Sequence, residues 1–232
     1  MSTPTFDESF THQWQADILP ARPAILPARH YVYPRRAEEV ERGALEVLVR
    51  PALHQGINSG FPEIPIERSV LYQGTTSVVP QNAEIKDGAL APEGYASSAA
   101  QQFLATCALG FRDASVPTGL WSTPDPEQIC AVAGGYAYII DTTAPERFTM
   151  IPYRPVLQVL PAADAGLLMF VGHRSILAWG RDGQAWESEK LSDEGVTITA
   201  IEGLVLRGTG WHIVTDKETP FALDLRSGAR KL

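Results

Sequence analysis

The chain has only two cysteines, no basic run longer than the pair Arg35 and Arg36, and no apolar stretch of 18 residues. Each shortage excludes something. Cys107 and Cys130 are too few for a disulfide framework, and their spacing matches neither a CxxC redox pair nor a zinc site. Both fall in apolar strand-like segments, which predicts small buried hydrophobes, with a bridge between neighbouring strands as the alternative. Nineteen Lys plus Arg against 27 Asp plus Glu leave a formal charge of −8, the wrong sign for gathering phosphates. Neither nucleic acid nor an anionic membrane is therefore expected as a partner. Residues 1–28 lack a basic segment followed by an apolar run, so a soluble, unexported, cytoplasmic protein is expected.

Familiar catalytic signatures are also missing. The five histidines form no HxH, HExxH or Cys/His cluster, and there is no GxSxG elbow, P-loop or GxGxxG leading into a helix. No cofactor and no metal set is expected, and a serine nucleophile or nucleotide enzyme finds no support. Carboxylates suited to hydrolysis exist at Asp141, Glu187, Glu189, Asp193, Glu194 and Asp216, but nothing local fixes two of them at a catalytic separation.

What the chain does contain is β signal. Prolines at 4, 20, 23 and 27 mark residues 1–28 as an extended arm. Residues 29–232 read as a single β-repeat domain with a long loop insertion at about 51–101, a stretch of dispersed proline and glycine without periodicity. Within the insertion, RSVLYQ and TSVV are candidate edge strands. From residue 102 onward, segments such as QICAVAGGYAYIID, GLLMFVGHRSILAWG and LVLRGTGWHIVTD have strand composition and are bounded by Gly, Pro or Asp.

Three of these segments align. Gly134, Gly172 and Gly210 are spaced by 38 and 38 residues, and Phe148 and Trp186 each follow their glycine by 14. The pattern predicts a unit of about four short antiparallel strands joined by turns such as GRDG. SILAWGRDGQAW and, more weakly, AYIIDTTAPERF resemble the blades of β-propellers, and the chain is also similar to a family of uncharacterised bacterial proteins. The resemblance implies an all-β, small or incomplete propeller-like repeat. An irregular β-sandwich, or two chains completing each other, is the alternative. A missing blade would come from ALEVLVRP, QFLATCALGF and GLWSTP, with RHYVYP pairing with the C-terminal blade to close the ring.

His173 and His212 follow the aligned glycines by one and two residues, which makes them, with Trp211 and Asp216, the candidate binding residues for a sugar or metal. Arg154, forced into extended backbone before Pro155, is a further exposed candidate. Alternation along a strand would place the two histidine positions on opposite faces unless a bulge intervenes. The function expected first is a non-enzymatic binding or interaction module for a protein partner or a homo-oligomer. The alternative is a small-molecule, sugar or metal binding protein, or a hydrolase, with an axial pocket.

Overall fold

The structure, a computed structural model, describes residues 3–35, 43–52 and 102–231. The candidate strands RSVLYQ and TSVV lie outside these residues. Among the described residues sixteen strands form four sheets that largely follow chain order. The first sheet contains β2 (Trp14–Leu19), β3 (His30–Tyr33), β4 (Ala44–Pro51) and β5 (Phe103–Ala108), in the order β2-β4-β5-β3. The second contains β1 (Thr5–Asp7), β6 (Gly119–Ser122), β7 (Gln128–Ala133), β8 (Tyr136–Asp141) and β9 (Phe148–Met150), in the order β1-β6-β7-β8-β9. The third is the antiparallel meander β10 (Gln158–Ala162), β11 (Leu167–Val171), β12 (Ile176–Gly180) and β13 (Gly183–Glu187). The last has three strands, β14 (Val196–Glu202), β15 (Val205–His212) and β16 (Lys217–Asp224). The protein is all-β. Among the described residues no helix is long and apolar enough to cross a membrane.

Successive sheets pack face to face through three buried clusters. Val47, Val49, Phe103 and Tyr33 of the first sheet meet Leu120, Ile129, Tyr138 and Ile140 of the second. The opposite face of the second sheet, with Trp121, Cys130 and Ile139, meets Leu168, Phe170 and Trp179 of the third. Met169, Ile176 and Trp186 of the third then meet Leu206, Phe221 and Leu223 of the last. Trp179 and Trp186 thus serve different interfaces, because Trp186 lies opposite Ala178 in the ladder, one residue from Trp179. The Trp186 indole also donates to the Leu225 carbonyl at 2.7 Å, tying the third sheet to the last. Among the described residues no buried cluster joins the last sheet to the first, so the array is open.

Several expected pairings are corrected. RHYVYP does not pair with the C-terminal strands; its β3 runs parallel to β5 inside the first sheet, with Tyr33 opposite Cys107. GLWS does not complete the first sheet but begins the second, where β6 pairs with β7. The segment read as an arm supplies two edge strands: β1 lies parallel to β6, and β2 lies antiparallel to β4. Edge positions suit it, since one side of each strand makes no ladder. The aligned glycines are not equivalent either. Gly134, at φ +55, belongs to the β7–β8 turn. Gly210 lies within β15, where an added Cβ would sit 2.1 Å from the Leu191 carbonyl oxygen, so close backbone approach rather than a turn requires it. Both cysteines are free and fully buried, and burial pushes both thiols well above their usual range.

A polar chain is buried at the first sheet. Glu46, 6% exposed, and Thr106, 0% exposed, sit opposite each other on β4 and β5. Thr106 donates to Glu46 Oε2 at 2.6 Å, so its oxygen must accept from His30 Nε2 at 2.9 Å. Arg22 donates to the other Glu46 oxygen at 3.1 Å. Burial, then the Arg22 charge, hold the His30 imidazole below its usual range, while Glu46 opposes them.

Candidate binding site

The hydrogen bonds that stitch linkers to hairpin turns give the array two ends. At one end Val156 N donates to Gly135 O and Leu157 N to Val171 O, both at 2.8 Å. There too the linker after β13 is tied on both sides, Gly195 N to His173 O at 2.9 Å and Asp193 N to Trp211 O at 2.8 Å. At the other end Gln13 N reaches Pro126 O at 2.8 Å, Ala52 N reaches Gln13 O at 2.7 Å, and Thr142 N reaches Glu127 O at 2.8 Å. His173, Trp211, His212, Asp216 and Arg154 all belong to the first end. The insertion departs from the second.

The five candidates share an end without sharing one pocket. Asp193 is the organiser: Ile213 N donates to its Oδ2 at 2.9 Å, His212 Nδ1 lies 3.7 Å from the same oxygen, and the Lys190 ammonium contacts Oδ1. The Lys190 contact, then the Ile213 amide, hold the Asp193 carboxyl below its usual range. Trp211, one residue earlier on β15, turns to the opposite face and donates its indole N–H to Asp216 Oδ1 at 3.3 Å. Asp216 adopts a φ of +48, a left-handed position that Asp tolerates in a turn. The His173 side chain is exposed in the β11–β12 turn and makes no hydrogen bond or ion pair with the described residues. Arg154 is distant from both pairs, its Nη2 3.1 Å from Met150 Sδ and its guanidinium 5.4 Å from the centre of the Tyr136 ring. Among the described residues no three His, Cys, Asp or Glu side chains gather as a metal ligand set.

A neighbouring cluster escaped sequence reasoning. The Tyr153 hydroxyl lies 2.7 Å from Ser175 Oγ and donates to Glu187 Oε1 at 2.8 Å, and Ser175 reaches the same oxygen at 3.1 Å. Burial pushes the Tyr153 phenol well up; Ser175 opposes this and Glu187 adds to it. A protonated phenol that donates to a carboxylate is a tether, and among the described residues no histidine hydrogen-bonds Ser175 to draw off its proton. The cluster clamps the linker between β9 and β10 onto the third sheet. It also explains Gly172, where a Cβ would lie 2.9 Å from the Tyr153 ring. Of its members the sequence reading singled out Glu187 alone, as one carboxylate among several, and it named Arg154 rather than the neighbouring Tyr153.

Compared with family models, curated proteins and solved structures, the chain matches none of them.

Proposed function

We propose that the chain is a non-enzymatic binding module, an open propeller-like array of sheets that presents the insertion at about 51–101 to a protein partner or a second copy of itself. One observation carries the reading. Val49 and Phe103 are direct partners in the β4–β5 ladder, and both are completely buried. The chain therefore leaves and re-enters the sheet at adjacent points that a turn of roughly two to five residues would join. Strand pairing does not require the length between them, and long connections on rigid β scaffolds are where recognition concentrates. The propeller-like description rests on sheets that follow chain order and, in the second and third, bury both faces against neighbours, as blades do.

Replacing residues 55–98 by a short Asn-Gly turn tests this. The expected result is an unchanged thermal midpoint together with loss of self-association in sedimentation velocity, or of the proteins that the immobilised full chain retains. If the shortened chain folds and still binds everything the full chain binds, the insertion is not the recognition surface.

A further inference from the structure

β3 is an open edge of the first sheet. It pairs with β5 alone, and the order β2-β4-β5-β3 leaves no strand on its other side among the described residues. Leu104 N donates to Arg29 O at 3.0 Å, and in a parallel ladder only alternate residues of a strand bond the partner. Arg29, Tyr31 and Tyr33 therefore turn their backbone groups toward β5, whereas His30 and Val32 turn theirs away. Each of those two presents an N–H and a C=O outward, at the spacing of a strand. Pro34, next in phase, has no N–H and ends the row of donors.

Several other edges are blunted. Pro161 lies in β10, Pro220 lies in β16 where a bridge between Leu223 and Arg230 covers part of the edge, and a register shift interrupts β14 between Ile198 and Ala200. Such devices keep strand edges from pairing. β3 carries no proline, lysine or bulge. Its edge opens instead onto a groove of about 400 Å³, lined by all of β3 together with Arg35, Pro145 and Glu146. The Tyr33 hydroxyl donates to the Pro145 carbonyl at 2.6 Å and Arg35 to the Glu146 carbonyl at 2.7 Å. Tyr31, Tyr33 and Arg35 share one face of the strand by alternation, so the Pro145–Glu146 turn walls that face. Arg35 is thus already engaged, whereas the exposed Glu146 carboxylate makes no hydrogen bond or ion pair with the described residues.

We propose that this groove binds an extended peptide, which adds antiparallel to β3 as a further strand of the first sheet and carries a lysine or arginine opposite Tyr31. The two residues flanking that cation exchange backbone N–H and C=O bonds with His30 and Val32, which is what the open edge lacks. The basic side chain falls on the Tyr31 face, toward the Glu146 carboxylate. The site belongs to the edge of the first sheet and does not depend on the insertion's role.

The probe is a fluorescently labelled, amidated pentapeptide, Thr-Val-Lys-Val-Thr, titrated with the full chain by anisotropy. Saturable binding is expected. N-methylation of both valines removes the N–H groups aimed at β3 and should abolish it, whereas N-methylation of the lysine, whose N–H points to solvent, should leave it intact. In hydrogen exchange the peptide should slow the Val32 amide and leave the Tyr31 amide, already bonded within the ladder, unchanged. Glutamate in place of the peptide lysine should weaken binding about fivefold, and Glu146→Ala should remove that preference with the thermal midpoint unchanged. The proposal is overturned if the lysine peptide does not bind saturably, if methylating the valines has no effect, or if Glu146→Ala keeps the parent's preference. It is also overturned if Val32 is protected only as protein concentration rises, which would make a second copy the occupant.

Discussion

The two middle sheets and the last sheet are written in different residue alphabets. β7 (QICAVA) and β11 (LLMFV) are buried at nearly every position and show no alternation, whereas β14 (VTITAIE) alternates between covered and exposed residues. A strand covered on both faces needs an apolar side chain at every position, and one covered on a single face needs it only at every second. The first sheet is a third case. Its β5 (FLATCA) is wholly buried, yet Thr106 within it serves the Arg22–Glu46–Thr106–His30 chain rather than an apolar core. Coverage, more than strand propensity, sets the composition.

That contrast can be broken most strongly at its centre. Phe170→Ala, in the core between the second and third sheets, should cost about 3–5 kcal/mol, whereas Thr199→Ala on the exposed side of β14 should stay within about 0.5 kcal/mol. Equal losses in urea unfolding would show that the last sheet is as deeply covered as the middle ones. Trp186→Phe keeps most of the apolar volume but leaves the Leu225 carbonyl without its donor, for an expected loss of about 1–3 kcal/mol. A loss confined to the last sheet, read by hydrogen exchange in β15 and β16, would mark this bond as the hinge of its attachment.

The first sheet is expected to announce itself through pH. In the fold the His30 imidazole is held below the ordinary histidine range, near 6.5, while the unfolded chain takes up that proton. The unfolded state then binds more protons, so this contribution to stability is present above 6.5 and is lost as pH falls below it. His30→Gln should flatten the urea midpoint between about pH 7.5 and about pH 5.5; an unchanged slope would assign the effect elsewhere. The smallest effect is at the rim, where the exposed Arg50–Asp17 pair, at 2.6 Å, is worth about 0–1 kcal/mol by double-mutant cycle.

Much of the β framework was legible in the sequence. The turn between Gly180 and Gly183 joins β12 to β13 where GRDG announces it, and Gly134 and Gly135 turn β7 into β8. These signals are local, carried by residues that adopt left-handed backbone or close a short hairpin. The glycine register misled at Gly210, because close approach of the 188–195 linker demands glycine as firmly as a turn does. The candidate site was legible only as an address. His212, Trp211 and Asp216 do meet partners at one end, but the partner that organises His212 is Asp193, noted only as one loop acid among many.

The sequence by itself determined an all-β chain, buried thiols and the middle hairpins, since alternation, apolar runs and turn residues act within a few positions. Tertiary structure alone decided that Thr5 lies opposite Gly119, that His30 lies opposite Leu104, and that Phe10 N meets Ser122 Oγ at 2.9 Å. Those contacts join segments far apart in the chain. Which segments meet is set by which apolar faces cover one another once all the sheets are present, and no local pattern encodes that choice.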